Sequence, residues 1–514
     1  GEFEGTLAGM QAVVERSPLL ASTARLEPLE WQGAGDLSLG LYFPFAGRPM
    51  TLDGRLSLDG AALAIRGVDG TLEAINGEVT FDRQGVAASG LRARWADRPI
   101  VATAETEGEG DDAMIRVQAD TRMALAEWPG MAAMADRTEG TAAWRLRWER
   151  HGFQAADPAV PGERLLIRSS LEGIAMDWPL ALGKTAGSLA PVRVEWRDTG
   201  SGEPRWRLDY DDRLRLRRAR DRVAVHFGDT PPTLPETAST RVSGRLPTLP
   251  PGAIIGLMGG GSAPGAELPE PLALDVRLAG LAVGRWRVEP IDLTGRIDAA
   301  AVDLSASGGA EGTIRRPTDQ APWTIRLGQL QLQPRPDRAA DAAPPEDAPP
   351  VAPDIDLVAE QVRLADQPLG RLRLNRVNAG TDAARGSLQL AGEGLDLQAQ
   401  VDRTADGSSG HQLRFDLYTR DAGELLRVMR LPGAMNRGEG NLSGDLRWQG
   451  RMLQPALPTL AGDLQIDLRN GNLPAVEPGA GRALGLFSLS VLPRRLGLDF
   501  SDVVGEGLSF DQLQ

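Results

Sequence analysis

The sequence predicts a mainly β protein, built from half-buried strands of antiparallel sheet with a few short helices. Three observations carry this. Apolar residues recur with period two along most of the chain. Gly (61) and Pro (37) together make 98 of 514 residues, dense punctuation that suits many short strands. Helical periodicity is confined to a few short stretches.

The period-two runs begin with Leu37, Leu39, Leu41 and Phe43, followed by Leu56 and Leu58. Trp144, Leu146 and Trp148 come next, then Val192, Val194 and Trp196, and Val223, Val225 and Phe227. Further on are Leu272, Leu274, Val276 and Leu278; Leu395, Leu397, Ala399 and Val401; and Leu413, Phe415 and Leu417. Leu464, Ile466 and Leu468, then Leu496, Leu498 and Phe500, end the series. Side chains alternate across a strand, so each run has one apolar and one polar face. Arg145 and Arg147 lie between the apolar residues of the Trp144 run, a pattern foreign to a strand buried on both faces.

Helices are expected at Leu7–Arg16, stopped by Ser17-Pro18, at Ala422–Arg430 and at Gly479–Ser488. In the second, Asp421 is placed to cap, Glu424 holds the capping-box position and Pro432-Gly433 ends the helix, with Leu425 and Met429 on one face. A faint repeat joins these elements. Arg137–Trp148 (RTEGTAAWRLRW) matches Arg437–Trp448 (RGEGNLSGDLRW) at Arg, Glu, Gly, Leu, Arg and Trp, and Gly33–Phe43 (GAGDLSLGLYF) echoes Gly438–Trp448. Each pair has a short apolar helical segment, a Gly-rich turn and an amphipathic strand. Stacked units of this kind share one continuous face.

Gln333–Asp354 is dominated by Pro, Ala and Asp and reads as a flexible linker. The expected organisation is therefore 1–332, a loop over 333–354, and 355–514. Gly256–Pro271 is a second Gly/Pro-rich excursion. The strand pattern resumes unchanged after both. The opening Gly1-Glu2-Phe3 reads as a cloning remnant and is set aside from fold reasoning, and the chain is expected to be a fragment.

Composition excludes several functions. A net charge of −14, without a basic cluster, disfavours nucleic-acid binding. The basic residues are nearly all Arg, with Lys184 the sole lysine. The absence of cysteine removes thiolate chemistry and disulfides. His151, His226 and His411 stand in unrelated contexts without metal-ligand companions, so no metal and no cofactor is expected. No GxSxG, P-loop or dinucleotide fingerprint occurs, Gly259-Gly260-Gly261 lacks the phosphate-loop lysine, and no catalytic residue is assigned. No stretch reaches the roughly 18 apolar residues that span a bilayer.

The C-terminal third resembles the AsmA-like superfamily in its YhdP branch. The resemblance is carried by GELLRVMRL (Gly423–Leu431), GNLSGDLRWQG (Gly440–Gly450), LAGDLQIDL (Leu460–Leu468) and above all VEPGAGRALGLFSLSVLPRRLGLDFSDVVGEGLSFD (Val476–Asp511). Upstream, SLEGIAMDWPLALGKTA (Ser170–Ala186) resembles the branch as well. The resemblance implies an elongated, twisted, taco-like sheet with an apolar groove, in a periplasmic protein anchored in the inner membrane by an N-terminal helix absent from this sequence. It implies a bridge carrying phospholipid between inner and outer membranes, with acyl chains as ligand, inner- and outer-membrane proteins as partners, and no catalysis.

The expected groove lining is Leu37, Leu39, Leu41, Phe43, Trp144, Leu146, Trp148, Leu274, Val276, Leu278, Leu413, Phe415, Leu417, Leu446, Trp448, Leu464, Ile466, Leu468, Leu496, Leu498 and Phe500. For the tryptophans, core packing is the competing reading. Two other functions fit the same alternation: a protein-binding outer-membrane assembly factor that takes up a strand at its sheet edge, and a structural β-scaffold whose apolar faces pack on each other.

Overall fold

The structure, a computed structural model, describes residues 1–16, 29–42, 51–65, 71–82, 85–108, 114–128, 130–151, 162–178, 180–198, 204–237, 239–249, 271–283, 286–298, 301–318, 321–335, 354–378, 384–403, 410–428, 435–451, 454–455, 459–473 and 508–513. Every period-two run on these residues forms a strand. The chain divides into two compact units, Gly1–Arg245 with Ser262–Leu272, and Leu246–Gly261 with Ala273–Gln514.

The first unit contains β1 (Glu2–Thr6), β2 (Leu29–Gln32), β3 (Ala34–Tyr42), β4 (Thr51–Ile65), β5 (Thr71–Asp82), β6 (Val86–Trp95), β7 (Arg98–Glu107) and β8 (Met114–Met123). These are followed by β9 (Thr138–Gly140), β10 (Ala142–His151), β11 (Glu163–Ser169), β12 (Ile174–Met176), β13 (Val192–Asp198), β14 (Arg205–Tyr210), β15 (Leu214–Ala219), β16 (Arg222–Phe227) and β17 (Ser239–Leu246). The order is a meander: β1 pairs β3, and the sheet runs on through β4, β5, β6, β7, β8, β10, β11, β13, β14, β15 and β16, each antiparallel to the last. The opening residues set aside as a cloning remnant belong to this sheet, with Glu2 opposite Ser38 and Phe3 opposite Leu37.

The second unit contains β18 (Leu272–Leu278), β19 (Leu281–Val283), β20 (Trp286–Val288), β21 (Ile291–Ile297), β22 (Val302–Gly308), β23 (Ala310–Arg316), β24 (Trp323–Pro334), β25 (Ile355–Leu364), β26 (Gln367–Asn378) and β27 (Ala384–Gly392). It continues with β28 (Leu395–Arg403), β29 (Gly410–Thr419), β30 (Asn436–Arg451), β31 (Gln454–Pro455), β32 (Ala461–Leu473) and β33 (Leu508–Leu513). From β21 to β30, then β32 and β33, each strand again pairs with its predecessor.

The sheet is mixed, where the alternation alone predicts antiparallel pairing. β16 and β17 run parallel, as do β24 and β25. A parallel pair needs a crossover longer than a hairpin turn. The connections from Phe227 to Ser239 and from Pro334 to Ile355 supply it, the latter spanning the Pro/Ala/Asp-rich stretch. Side-chain alternation cannot distinguish strand direction, because it is identical in both.

Helix α1 (Leu7–Arg16) forms as expected. Helix α2 (Ala422–Val428) is capped by Asp421, whose Oδ1 accepts from the Glu424 N–H at 2.8 Å. The stretch Gly479–Ser488 and the groove candidates Phe43, Leu496, Leu498 and Phe500 lie outside the described residues. Upstream of the repeat strands, α1 comes before β2 and β3, a 3-10 turn over Ala132–Arg137 comes before β9 and β10, and α2 comes before β30.

Candidate functional site

In a β-ladder, paired residues project to the same face, so the register shows which side chains share a surface. In the first unit one row links Phe3, Leu37, Leu56, Val79, Ala88, Ala104, Val117, Trp148, Leu165, Trp196 and Trp206 from β1 to β14. A second row beside it links Ala102, Ala119, Leu146, Ile167, Val194, Leu208, Leu216 and Val225. These rows are apolar from strand to strand. Most members are half-buried; Phe3 and Trp206 are exposed, as is Leu41 on the same face. Of these rows, Leu56 and Val79 pack against a cluster around Leu7, and Leu146, Ile167 and Leu208 against the cluster around Trp144.

One margin of this face is covered by the chain itself. α1 sets Leu7, 3% exposed, into a cluster with Leu58, Ala61 and Ile75. Farther along, the segment from Leu171 to Ala190 folds over Trp144 and Tyr210, burying Met123, Ile174 and Met176 with them. This strap is tied by polar contacts. The Lys184 ammonium donates to the carbonyls of Ile174 (2.6 Å), Leu171 (2.8 Å) and Thr185 (2.9 Å). Tyr210 Oη donates to the Leu182 carbonyl at 2.7 Å, and Arg213 donates to that of Gly183 at 2.7 Å. Burial lowers the pKa of Lys184 from its ordinary value, and the nearby Arg213 charge acts in the same direction. β12 of the strap pairs with β9, where Gly140 and Gly173 both adopt φ of +95°. A Cβ on Gly140 would meet the Gly173 carbonyl oxygen at 2.1 Å, so glycine is required there.

The opposite face of this sheet is ionic. Arg116 contacts Glu105, Glu107 and Glu149; Arg164 bridges Glu149 and Glu195; Arg193 and Arg197 close on Glu195. Burial alone would raise the pKa of Glu195. The hydrogen bond from Arg197 and the charges of Arg164 and Arg193 outweigh it and hold the carboxyl below the ordinary range.

The second unit repeats the two-faced design. A row runs through Leu304, Ile314, Ile325, Leu357, Leu374, Leu388, Ala399, Phe415, Gly444 and Leu464. Beside it run Ala359, Leu372, Leu390, Leu397, Leu417, Leu442 and Ile466 on one side and Val401, Leu413 and Leu446 on the other. Between the apolar rows lie polar ones facing the other way, such as Arg373, Gln389, Gln398, Asp416, Ser443 and Gln465. At Gly444 the missing side chain makes room for Phe415, whose ring would lie 2.7 Å from an added Cβ. Around β22 to β24 the face is packed, with Val302, Leu304 and Trp323 buried together. From β25 to β32 most of its residues are half-buried, and Leu464 is 39% exposed.

The expected lining residues divide accordingly. Leu413, Phe415, Leu417, Leu446, Trp448, Leu464, Ile466 and Leu468 fall on one face of the second unit, and Leu37, Leu39, Leu41, Trp144, Leu146 and Trp148 on one face of the first. Within these sets Trp144, Trp448 and Leu468 are buried in protein, as are Val276 and Leu278 on β18, while Leu274 packs beside the Val302 cluster. Leu374, Leu388, Trp196 and Trp206 share these faces and were absent from the expected lining. RLRLN and SLQLAG already carried the period-two signal for the two leucines. His226 Nδ1 lies 3.0 Å from Ser243 Oγ, and His411 stacks on Trp448 at 5.5 Å.

Comparison with known proteins places these faces in context. The sequence model of a family described as "YhdP protein" matches residues 1–514. The intermembrane phospholipid transporter YhdP of Escherichia coli (strain K12) is 22% identical over 528 residues, covering 97% of this chain. The chain spans about 41% of that relative's length. No solved structure matches. Matched from end to end by the family's model, the chain belongs to the YhdP family.

Proposed function

We propose that this chain is a phospholipid-carrying segment of a periplasmic bridge between the inner and outer membranes, and a carrier rather than a catalyst. The observation that carries the reading is the cross-strand apolar rows, half-exposed and backed by a polar face. Acyl chains laid on such a surface need no specific contact, since each methylene removed from water contributes about 0.8 kcal/mol. An uninterrupted row gives a tail the same environment at each strand, so movement along it meets no deep trap. The strap over Leu171–Ala190 covers one margin and leaves the Leu165, Trp196 and Trp206 positions uncovered by it. This supports reading the face as a trough with one built wall. The name of the Escherichia coli relative supports the ligand class.

The purified chain is expected to retain phospholipid on extraction and mass spectrometry. Charges placed together in one row, Leu374→Asp, Leu388→Asp and Leu464→Asp, should remove it while the fold persists by circular dichroism. A wild-type chain free of lipid, or a triple variant carrying the wild-type load, would overturn the reading.

A further inference from the structure

The apolar face of the second unit carries cations along one margin. Val302 pairs with Arg316, Ile355 with Arg376, and Arg403 with His411, which pairs in turn with Trp448. Strand alternation therefore puts Arg316, Arg376 and Arg403 on the same face as Leu357, Leu374 and Phe415. The other margin is apolar: Leu327, Leu330, Ala359 and Val362 are buried there.

Arg316 and Arg403 differ from the arginines of the polar face. On that face Arg315 pairs with Asp303, Arg371 with Glu360, Arg385 with Asp402, and Arg414 with Asp402 and Asp445. Arg316 and Arg403 have no carboxylate within ion-pairing distance among the described residues. The Arg316 guanidinium lies 4.9 Å from the Trp323 ring centroid, and its Nε is buried with no hydrogen-bond partner. Arg376, between them along the sheet, is partly desolvated and feels both the opposite charge of Asp354 and the like charge of Arg403. At about 4.8 Å per strand, Arg316 and Arg376 are about 14 Å apart and Arg376 and Arg403 about 10 Å. The first unit has a similar terminus: its Phe3-to-Trp206 row ends on Arg218, whose Nε donates to the Arg220 carbonyl.

We propose that Arg316 and Arg403, with Arg376 between them, are phosphate stations for the lipid headgroup, so that phospholipid lies with its phosphate on this margin and its tails over the leucine rows. Guanidinium suits this because it stays charged, presents paired N–H donors to phosphate oxygens and tolerates a partly desolvated site better than ammonium. The station also gives the trough a selectivity that apolar surface lacks: tails alone cannot distinguish a phospholipid from a diacylglycerol.

The inference rests on the proposed lipid-carrying role, and the test separates the two. The full chain is equilibrated with micelles of radiolabelled dioleoylphosphatidic acid or dioleoylglycerol, which share the same tails, and retained label is counted after gel filtration. Phosphatidic acid should be preferred by about tenfold or more. Arg316→Gln with Arg403→Gln should cut the preference to below about threefold with dioleoylglycerol uptake unchanged, and the paired lysine variant should recover part of it. Arg414→Gln, on the polar face, should leave the preference intact. No preference in the wild type, or a preference that survives the glutamine pair, overturns the phosphate stations while the apolar face stands. Abolition of the preference by millimolar inorganic phosphate also overturns them, as a plain anion site. Uptake of neither lipid overturns the carrying role and this inference together.

Discussion

Replacing Lys184 by Met tests whether the strap is held by one buried charge. The substitution keeps the length of the stem and removes the ammonium, leaving the carbonyls of Leu171, Ile174 and Thr185 without their donor. Hydrogen bonds to a charged group contribute roughly 1.5–3 kcal/mol each, so three give a gross loss of about 4.5–9 kcal/mol. Removing the ammonium also removes its desolvation cost, several kcal/mol for a side chain this buried. The net loss is then about 2–3 kcal/mol, felt locally because Tyr210 and Arg213 still hold Leu182 and Gly183. Hydrogen exchange followed by mass spectrometry is the appropriate assay, since it reads each segment separately in a two-unit chain. Peptides covering 171–190 should exchange about 30- to 150-fold faster, with β26 to β30 unchanged. Wild-type protection across the strap would refute the assignment of Lys184 as its tie. Equal loss throughout the first unit would show instead that the strap and the sheet open together.

Three further outcomes follow from the same geometry. The depressed pKa of Glu195 means its ion pairs stabilise the first unit above the unfolded carboxylate value of about 4.3, and that contribution is lost as pH falls through the folded value below it. The stability difference between wild type and Glu195→Gln, read from first-unit melting across pH 2–7, should therefore shrink only at the acid end; a difference independent of pH would contradict the assignment. Gly444→Val should force the Phe415 ring off the face and cost about 1–3 kcal/mol, seen as a lowered melting temperature of the second unit, whereas an unchanged melt would mean the ring has room to spare. Asp421→Ala removes the acceptor for the Glu424 N–H and should cost about 1 kcal/mol, visible as faster exchange in α2.

Much of the fold was legible because the strongest signal is local. Leu37, Leu39 and Leu41, or Leu413, Phe415 and Leu417, need no partner to declare a two-faced strand. The capped helix at Asp421 was legible for the same reason. β6 and β7 were not: VAASGLRARW and RPIVATAETE use alanine where the face is crowded, so the alternation is muted, and bulges displace it. Parallel pairing at β24 and β25 left no trace, because direction is decided by the length and path of the connection. The strap was present in the sequence as Ser170–Ala186, yet its role depends on Lys184 meeting carbonyls from both sides of a turn, a juxtaposition that only the folded chain creates. For Trp144 the strap decides between core and lining, placing it under cover.

Within each unit most strands lean chiefly on their immediate predecessor and successor, and no described strand closes a ring. Such an architecture has no fixed number of members. A lineage can lengthen it by duplicating a hairpin, which adds two strands of opposite sense and returns the chain to its starting direction, so every later residue keeps its side. A single added strand would exchange the helix-bearing border with the arginine-bearing one. Growth by twos is therefore the tolerated step, and relatives of different reach should differ by even numbers of strands.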